Sequence, residues 1–439
     1  MRLILMMLVG LSLPWLLSAC GGSGPTPGST ILVSNSVGLT STATGGNVMN
    51  VVVDGGVPSL IQQNGGYPVY IDGLFTSIQV CVPGTSSCQT IDHVLVDTGS
   101  VGLRLLSSQA QGELSLPLPA VNDGTAALYE CTQFADGYSW GSVNSADVHL
   151  GGEIAGNVPI QIIGVNTAWI PNTCSNNSIN NTEEDNLNGL QANGILGIGV
   201  FTQDCGQNGC APNPYYDCTN SSCLVPTQVP VQQVSNPVSL LAQDNNGVLI
   251  RLPGLTALGA STSSGQMLLG VNTEADNTLA SSAHVLQLDP AMGQLKPTAS
   301  ATGLGNSSGN GNGVFSTAYT DSGTSVYEFG QTYSALPACA SSSPGTGFSC
   351  PAQTVTSTVT LTGYGSSIST QTQVLLANAS TLFVNANYAA FNDLVAPGPN
   401  DQTMVLGLPF FFGRDMASVI EGSPLTQAGQ TYIGPLIAF

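Results

Sequence analysis

Two short strings in this chain set a carboxylate, a hydroxyl, a glycine and a second hydroxyl in a row: Asp97-Thr98-Gly99-Ser100 and Asp321-Ser322-Gly323-Thr324. Val94-Leu95-Val96 leads into the first, and Ala318-Tyr319-Thr320 into the second. A carboxylate that ends a buried strand is costly unless it is paired and hydrogen-bonded. Two such sites in one chain suggest that they meet. Carboxylates in contact cannot both ionise easily, so they share a proton and titrate as a pair. One can then take a proton from a bound water while the other protonates or hydrogen-bonds a scissile carbonyl. No nucleophilic side chain is needed.

Further elements repeat with the motifs. Ile195-Leu196-Gly197 begins 98 residues after Asp97, and Val405-Leu406-Gly407 begins 84 residues after Asp321. One Asp-Thr-Gly-Ser string is weak evidence, because Asp and Gly are common at strand-to-turn boundaries. Four elements in one order at similar spacing describe a degenerate two-fold repeat. Around them the sequence predicts short strands bounded by Gly and Pro, among them residues 51–53, 69–71, 78–80, 93–96, 101–106, 143–150, 158–165, 314–319, 355–361, 371–376 and 381–384. Short helices are expected at 237–243, 333–336 and 388–394. The Gly- and Asn-rich tract 303–313 reads as a loop or hairpin tip.

Composition agrees with an all-β chain. Of 439 residues, 42% are apolar and only 7% charged, with 53 Gly and 26 Pro. Surface helices need Lys, Glu and Arg on their wet face, and here Lys and Arg number five together. The length allows two lobes, each with its own core. The net charge of −20 argues against nucleic acid and anionic membrane surfaces as partners.

Arg2 precedes an apolar run, residues 3–17, and Leu17-Ser18-Ala19-Cys20-Gly21 then resembles a bacterial lipobox. That resemblance implies lipidation at Cys20, a signal peptide over 1–20, and anchoring in the cell envelope, at the outer membrane. Residues 21–47, rich in Gly, Ser, Thr and Pro, read as a tether. Without Cys20, ten cysteines remain, an even set that reads as disulfides in an exported chain. Cys81–Cys88, Cys339–Cys350 and the longer Cys131–Cys174 are the natural pairs. Cys205, Cys210, Cys218 and Cys223 allow three connectivities, and their two C-x4-C units can also be read as zinc ligands.

With both motifs and both apolar-Gly strings in place, the chain resembles the pepsin-like aspartic peptidases over about residues 48–439. More narrowly, it looks like a largely uncharacterised bacterial group of pepsin-like lipoproteins. The resemblance implies a bilobal, double-ψ fold with a few short helices, an N-terminal lobe at 48–282 carrying Asp97 and a C-terminal lobe at 283–439 carrying Asp321. It implies an endopeptidase acting on polypeptide as a monomer, with no cofactor and no metal. Ile195-Leu196-Gly197 would back Asp97, and Val405-Leu406-Gly407 would back Asp321. Thr98 and Ser322 would bond across the pseudo-two-fold axis, Gly99 and Gly323 would let backbone N–H groups reach the carboxylates, and Ser100 and Thr324 would hold the outer carboxylate oxygens.

The family covers its dyad with a hairpin bearing a Tyr-Gly-Asp-Gly-like string. Phe134-Ala135-Asp136-Gly137 fits that string best, with Phe134 in the Tyr position and without its hydroxyl. Tyr138 or Trp140 is then the source of a polar contact from the same hairpin. Arg104 follows the dyad strand where the family usually has an aromatic residue; it either binds a substrate carboxylate or pairs with a neighbouring acid. Ser–His–Asp hydrolysis is disfavoured, since His93, His149 and His284 lack a Gly-x-Ser-x-Gly elbow. The alternative function is a non-catalytic or weakly active binding lipoprotein on the same frame.

Overall fold

The computed structural model describes residues 46–439, except 176–181, 206–209, 211, 220–221, 227–229, 297–298, 306–311 and 331–332. The leader through Cys20, nearly all of the tether and the centre of the 303–313 tract lie outside the described residues. The fold is all-β. Among the described residues the α-helices are one or two turns each: Pro58–Gln63, Asn172–Ser175, Leu187–Leu190 and Ala379–Leu382.

Two sets of four strands carry the Asp motifs. In the first half these are β1 (Cys88–Asp97), β2 (Val101–Leu106), β3 (Glu153–Ile163) and β4 (Gly194–Ile198). In the second half they are β5 (Thr317–Thr320), β6 (Tyr327–Phe329), β7 (Val395–Pro397) and β8 (Thr403–Leu406). β1 runs parallel to β4, β4 antiparallel to β2, and β2 parallel to β3. β5 runs parallel to β8, β8 antiparallel to β6, and β6 parallel to β7. The strand orders β1-β4-β2-β3 and β5-β8-β6-β7 are therefore the same wiring built twice. Val94, Leu95 and Val96 are fully enclosed, as a strand covered on both faces requires.

The halves are joined by a continuous run of six antiparallel strands. Val48–Asp54, Ser263–Leu269 and Gly247–Arg251 come from one side, and Asp415–Val419, Leu436–Ala438 and Val285–Gln287 from the other. At the seam, Arg251 opposes Asp415 in register and bonds it at 2.8 Å.

Some local expectations fail for identifiable reasons. Residues 69–71 form no strand, because the Val69 and Tyr70 amides both bond the Gly55 carbonyl. Residues 381–384 are not extended: the Asn378 side chain accepts from the Thr381 amide and starts the helix Ala379–Leu382. Residues 388–394 are irregular instead of helical, because the Ala389 and Ala390 amides both donate to the Ala260 carbonyl and the Ala260 amide donates to the Ala390 carbonyl. Residues 333–336 make a turn, and 237–243 shortens to the 3-10 turn Pro237–Leu240. The stretch 314–319 is split at Ser316: Asn312–Phe315 pairs with Ala299–Thr302, while β5 leaves to pair with β8.

All ten cysteines after Cys20 are disulfide-bonded. Cys81–Cys88, Cys131–Cys174 and Cys339–Cys350 pair as expected, and the cluster of four resolves to Cys205–Cys210 and Cys218–Cys223. With these sulfurs oxidised, the zinc reading of the C-x4-C units fails.

Candidate active site

β1 and β5 deliver their aspartates to one place. In the parallel ladder Asp97 faces Gly197, and Thr320 faces Leu406, so Asp321 stands beside Gly407 in the equivalent position. The Asp321 amide donates to the Leu406 carbonyl at 3.0 Å. Both supporting glycines are required sterically. A Cβ on Gly197 would lie 2.8 Å from the Val101 backbone, and one on Gly407 would strike the Thr324 and Val326 carbonyls.

Each carboxylate is held by its own motif in the same way. The Gly99 amide donates to Asp97 Oδ1 at 2.8 Å, and Ser100 Oγ donates to Asp97 Oδ2 at 2.5 Å. The Gly323 amide donates to Asp321 Oδ1 at 2.8 Å, and Thr324 Oγ1 donates to Asp321 Oδ2 at 2.7 Å. The loops are tied to each other as well. The Thr98 amide donates to Ser322 Oγ (3.1 Å), and the Ser322 amide donates to Thr98 Oγ1 (2.9 Å). Ser322 Oγ donates in turn to the Val96 carbonyl (2.8 Å).

The two carboxyls converge, each against the glycine of the other's motif, so any hydrogen bond between them requires a shared proton. Burial, then the Asp97 charge and the bond to it, push the Asp321 carboxyl up to about 7, outweighing the Thr324 hydroxyl. Gly99 and Gly323 are tight for the same reason: a Cβ on Gly99 would sit 2.5 Å from Asp321 Cγ, and one on Gly323 would strike the Asp97 carboxyl.

A cleft of about 580 Å³ opens at the dyad. Thr98, Gly99, Asp321 and Thr324 line it, with an apolar side formed by Val101, Phe201, Leu288, Met292, Val405 and Ile437. The hairpin between Ala126–Gln133 and Tyr138–Leu150 turns at Phe134, whose amide bonds the Gly137 carbonyl. Ala135 is the hairpin residue that lines the cleft. Phe134 packs on the first half's own core, against the cluster that includes Tyr70, Phe75 and Leu106. Trp140 is fully buried, stacked on Tyr129 at 5.3 Å and edge-on to Tyr216. Tyr138 joins that cluster, and its backbone bonds Thr182 and Glu184. The aromatic rings expected to offer a polar contact over the dyad thus brace the hairpin's base. Asp136 is buried at the tip.

Arg104 is not a substrate ligand. It is 1% exposed and bonds Glu130 at 2.7 Å, Asp204 at 3.4 Å and the Val101 carbonyl at 2.6 Å. Glu328, on β6, has no counterpart in the sequence reading. It lines the cleft and is 1% exposed. The available signal was one acid inside the apolar run Val326-Tyr327-Glu328-Phe329, four residues past Thr324.

Residues 41–439 match the model of a family described as "Protein of unknown function (DUF3443)". The chain belongs to that family. No curated relative matches it. The match spans the DUF3443 chain from just before its first strand to its last residue, so both aspartate motifs, both supporting strings and the hairpin lie inside it.

Proposed function

We propose that this protein is an aspartic endopeptidase on a bilobal, pepsin-like frame, held at the bacterial envelope through a lipid on Cys20. The observation that supports the reading is the convergence of Asp97 and Asp321, each fixed by an amide and a hydroxyl of its own motif and set against the other motif's glycine. A buried acid pair with no catalytic task is an expensive arrangement.

In the proposed reaction a water bridges the two carboxyls. The ionised carboxyl takes its proton as the oxygen attacks the peptide carbonyl carbon, and the protonated carboxyl gives its proton to the carbonyl oxygen. The resulting gem-diol collapses as the protonated carboxyl gives its proton to the leaving nitrogen, the C–N bond breaks, and the other carboxylate takes a proton from a gem-diol hydroxyl, so the pair again holds one proton. The Ser322–Thr98 clamp keeps the dyad from spreading, and the four motif bonds prevent either carboxyl from rotating. The apolar side of the cleft suits the side chains of an unfolded segment.

A binding role is the second reading, and Phe134 favours it, because it brings no hydroxyl to the hairpin tip and packs on the core. The two readings separate in one assay. Wild type, Asp97→Asn and Asp321→Asn proteins are incubated with unfolded protein from pH 3 to 7, with and without a pepstatin-type inhibitor. Cleavage by wild type alone, blocked by the inhibitor, is expected. An inert wild type that also fails to bind the inhibitor would falsify the peptidase reading.

A further inference from the structure

Glu328 sits inside the cleft with no ion-pair partner among the described residues. Its Cα position on β6 is fixed by antiparallel pairing with Val405, two residues from Gly407, which stands beside Asp321. The side chain is 99% buried and lines the same cavity as Asp321 and Ala135. Among the described residues, Glu328 Oε1 has no hydrogen-bond partner. Asp136, next to Ala135 at the hairpin tip, is also buried, and its Oδ2 is likewise unpartnered. Burial first, then the charges of Asp321 and Asp136, push the Glu328 carboxyl up to about 7. Glu328 lines the cleft from β6, Asp136 follows the cleft-lining Ala135 on the hairpin, and each keeps a buried carboxyl oxygen without a partner among the described residues.

The chain offers little to neutralise them. Arg104 is committed to Glu130 and Asp204, and Arg251 to Asp415. Arg414 lies over the Phe410 ring and bonds the Phe410 carbonyl. Lys296 reaches the Ser366 carbonyl. Each cation among the described Lys and Arg residues is thus used elsewhere. Other buried acids, such as Asp72 and Asp393, line no cleft at the dyad; Glu328 does. A buried carboxyl that lacks a donor and opens onto a substrate channel is built for a donor that arrives with the substrate.

We propose that Glu328, with Asp136 of the hairpin tip, forms a subsite that takes the cationic side chain of a lysine or arginine in the substrate. This rests on the peptidase reading for its setting, and it makes Glu328 a specificity-determining residue of that same cleft. A guanidinium or ammonium there donates to Glu328 Oε1 and Asp136 Oδ2 and supplies the missing positive charge. A neutral isostere leaves both acids unpaired, so the penalty falls on the wrong substrate as well as the reward on the right one.

The test has two arms on the full mature chain. In the first, cleavage sites in an unfolded-protein digest are mapped for wild type and Glu328→Gln, with peptides in which Lys is replaced by norleucine or Arg by citrulline. Enrichment of a basic residue at one subsite is expected, with a preference of about tenfold to hundredfold over the neutral isostere. Glu328→Gln should remove that preference, bringing the basic peptide and its neutral isostere to the same rate. Cleavage with no basic preference, or with one that Glu328→Gln does not change, overturns the subsite and spares the peptidase. In the second arm, thermal melts follow N-acetyl-argininamide against N-acetyl-citrullinamide. Their blocked amines separate side-chain recognition from capture of a free amino terminus. Stabilisation by the arginine compound alone, lost in both Glu328→Gln and Asp136→Asn, supports the subsite even when no peptide is cut. Equal effects of the two compounds, or none, overturn it. The melt of each variant without ligand shows whether it is folded.

Discussion

Replacing Ser322 with Ala should loosen the dyad and the junction between the halves together. Ser322 is fully buried, and its hydroxyl makes two bonds. It accepts from the Thr98 amide at 3.1 Å and donates to the Val96 carbonyl at 2.8 Å. Alanine removes one oxygen, so the cavity contribution is small. What remains is a buried amide and a buried carbonyl without partners. Each such orphan costs about 1–3 kcal/mol, so Ser322→Ala should lose roughly 2–4 kcal/mol. Ser322→Thr keeps the oxygen and should lose less than about 1.5 kcal/mol.

A double-mutant cycle sharpens the test. Thr98→Val removes the acceptor for the Ser322 amide (2.9 Å) and should cost about 1–3 kcal/mol alone. Once either clamp bond is gone, the loops separate and water reaches both amides. The double variant should therefore lose less than the sum, with a coupling of about 0.5–2 kcal/mol. Urea unfolding followed by circular dichroism with disulfides intact reads all four proteins. A Ser322→Ala loss below about 0.5 kcal/mol, or strict additivity, refutes the inter-loop clamp.

Further consequences are as direct. Gly99→Ala sets a methyl 2.5 Å from Asp321 Cγ, so peptide hydrolysis should drop roughly a hundredfold or more with circular dichroism unchanged. Activity should fall as pH rises through about 7, where Asp321 loses its proton; a rate still rising at pH 8 contradicts this. Arg104→Met leaves Glu130 and Asp204 buried without their cation and should cost about 3–5 kcal/mol in a denaturant melt, with the cleavage pattern unaltered. Thermal stability should rise from pH 9 to about pH 5. Burial lowers the His93 affinity for its proton, but bonds to Asp54 and Asp92 outweigh it and raise it to about 9, so that contribution is present below the unfolded value and lost as pH climbs through 9. Asp185, raised to about 8 by burial despite the bond from the Trp140 amide, and Asp393, raised to about 7 by burial, also bind protons more tightly folded than unfolded and act in the same direction. A flat melting temperature across that range counts against these assignments.

The dyad was legible because its chemistry is local. Asp, hydroxyl, Gly and hydroxyl must be consecutive for an amide and a side chain to reach the same carboxylate, so the string itself records the geometry. The apolar-Gly strings were legible because close approach of two backbones excludes a Cβ. The turn at Phe134 was legible as a turn, but its side-chain directions were not. Trp140 faces the Tyr129–Tyr216 cluster because strand alternation and the Cys131–Cys174 bridge decide its side, and neither is visible in a seven-residue string. Arg104 depended on Glu130 and Asp204, which lie 26 and 100 residues away. Glu328 was missed because one acid in a short apolar strand looks like a solvent-facing position until the cleft is closed around it. The one-turn helix at Ala379 was missed because Thr and Val suggest extension, while a single Asn cap and tertiary packing of Leu382 override that propensity.

The two halves share their wiring and differ in what hangs on it, and under the proposed function that difference is where specificity would reside. A symmetric frame is what a shared proton needs: β1 and β5 arrive alike, and each carboxylate receives one amide and one hydroxyl. Symmetry alone would make the cleft indifferent to substrate direction. The first half adds a long hairpin between β2 and β4, which brings Ala135 to the cleft and Asp136 to its edge. The hairpin of the second half, Val355–Thr362 with Ser369–Leu376, puts no residue in the cleft lining; Glu328 lines it from β6, where the equivalent strand β2 carries the internally paired Arg104. One strand position after the dyad thus holds a neutralised cation on one side and an unneutralised acid on the other. On the proposed reading, a peptide lying across the dyad would meet different electrostatics in its two directions, so chain polarity and the placement of a basic side chain would be read by the same asymmetry.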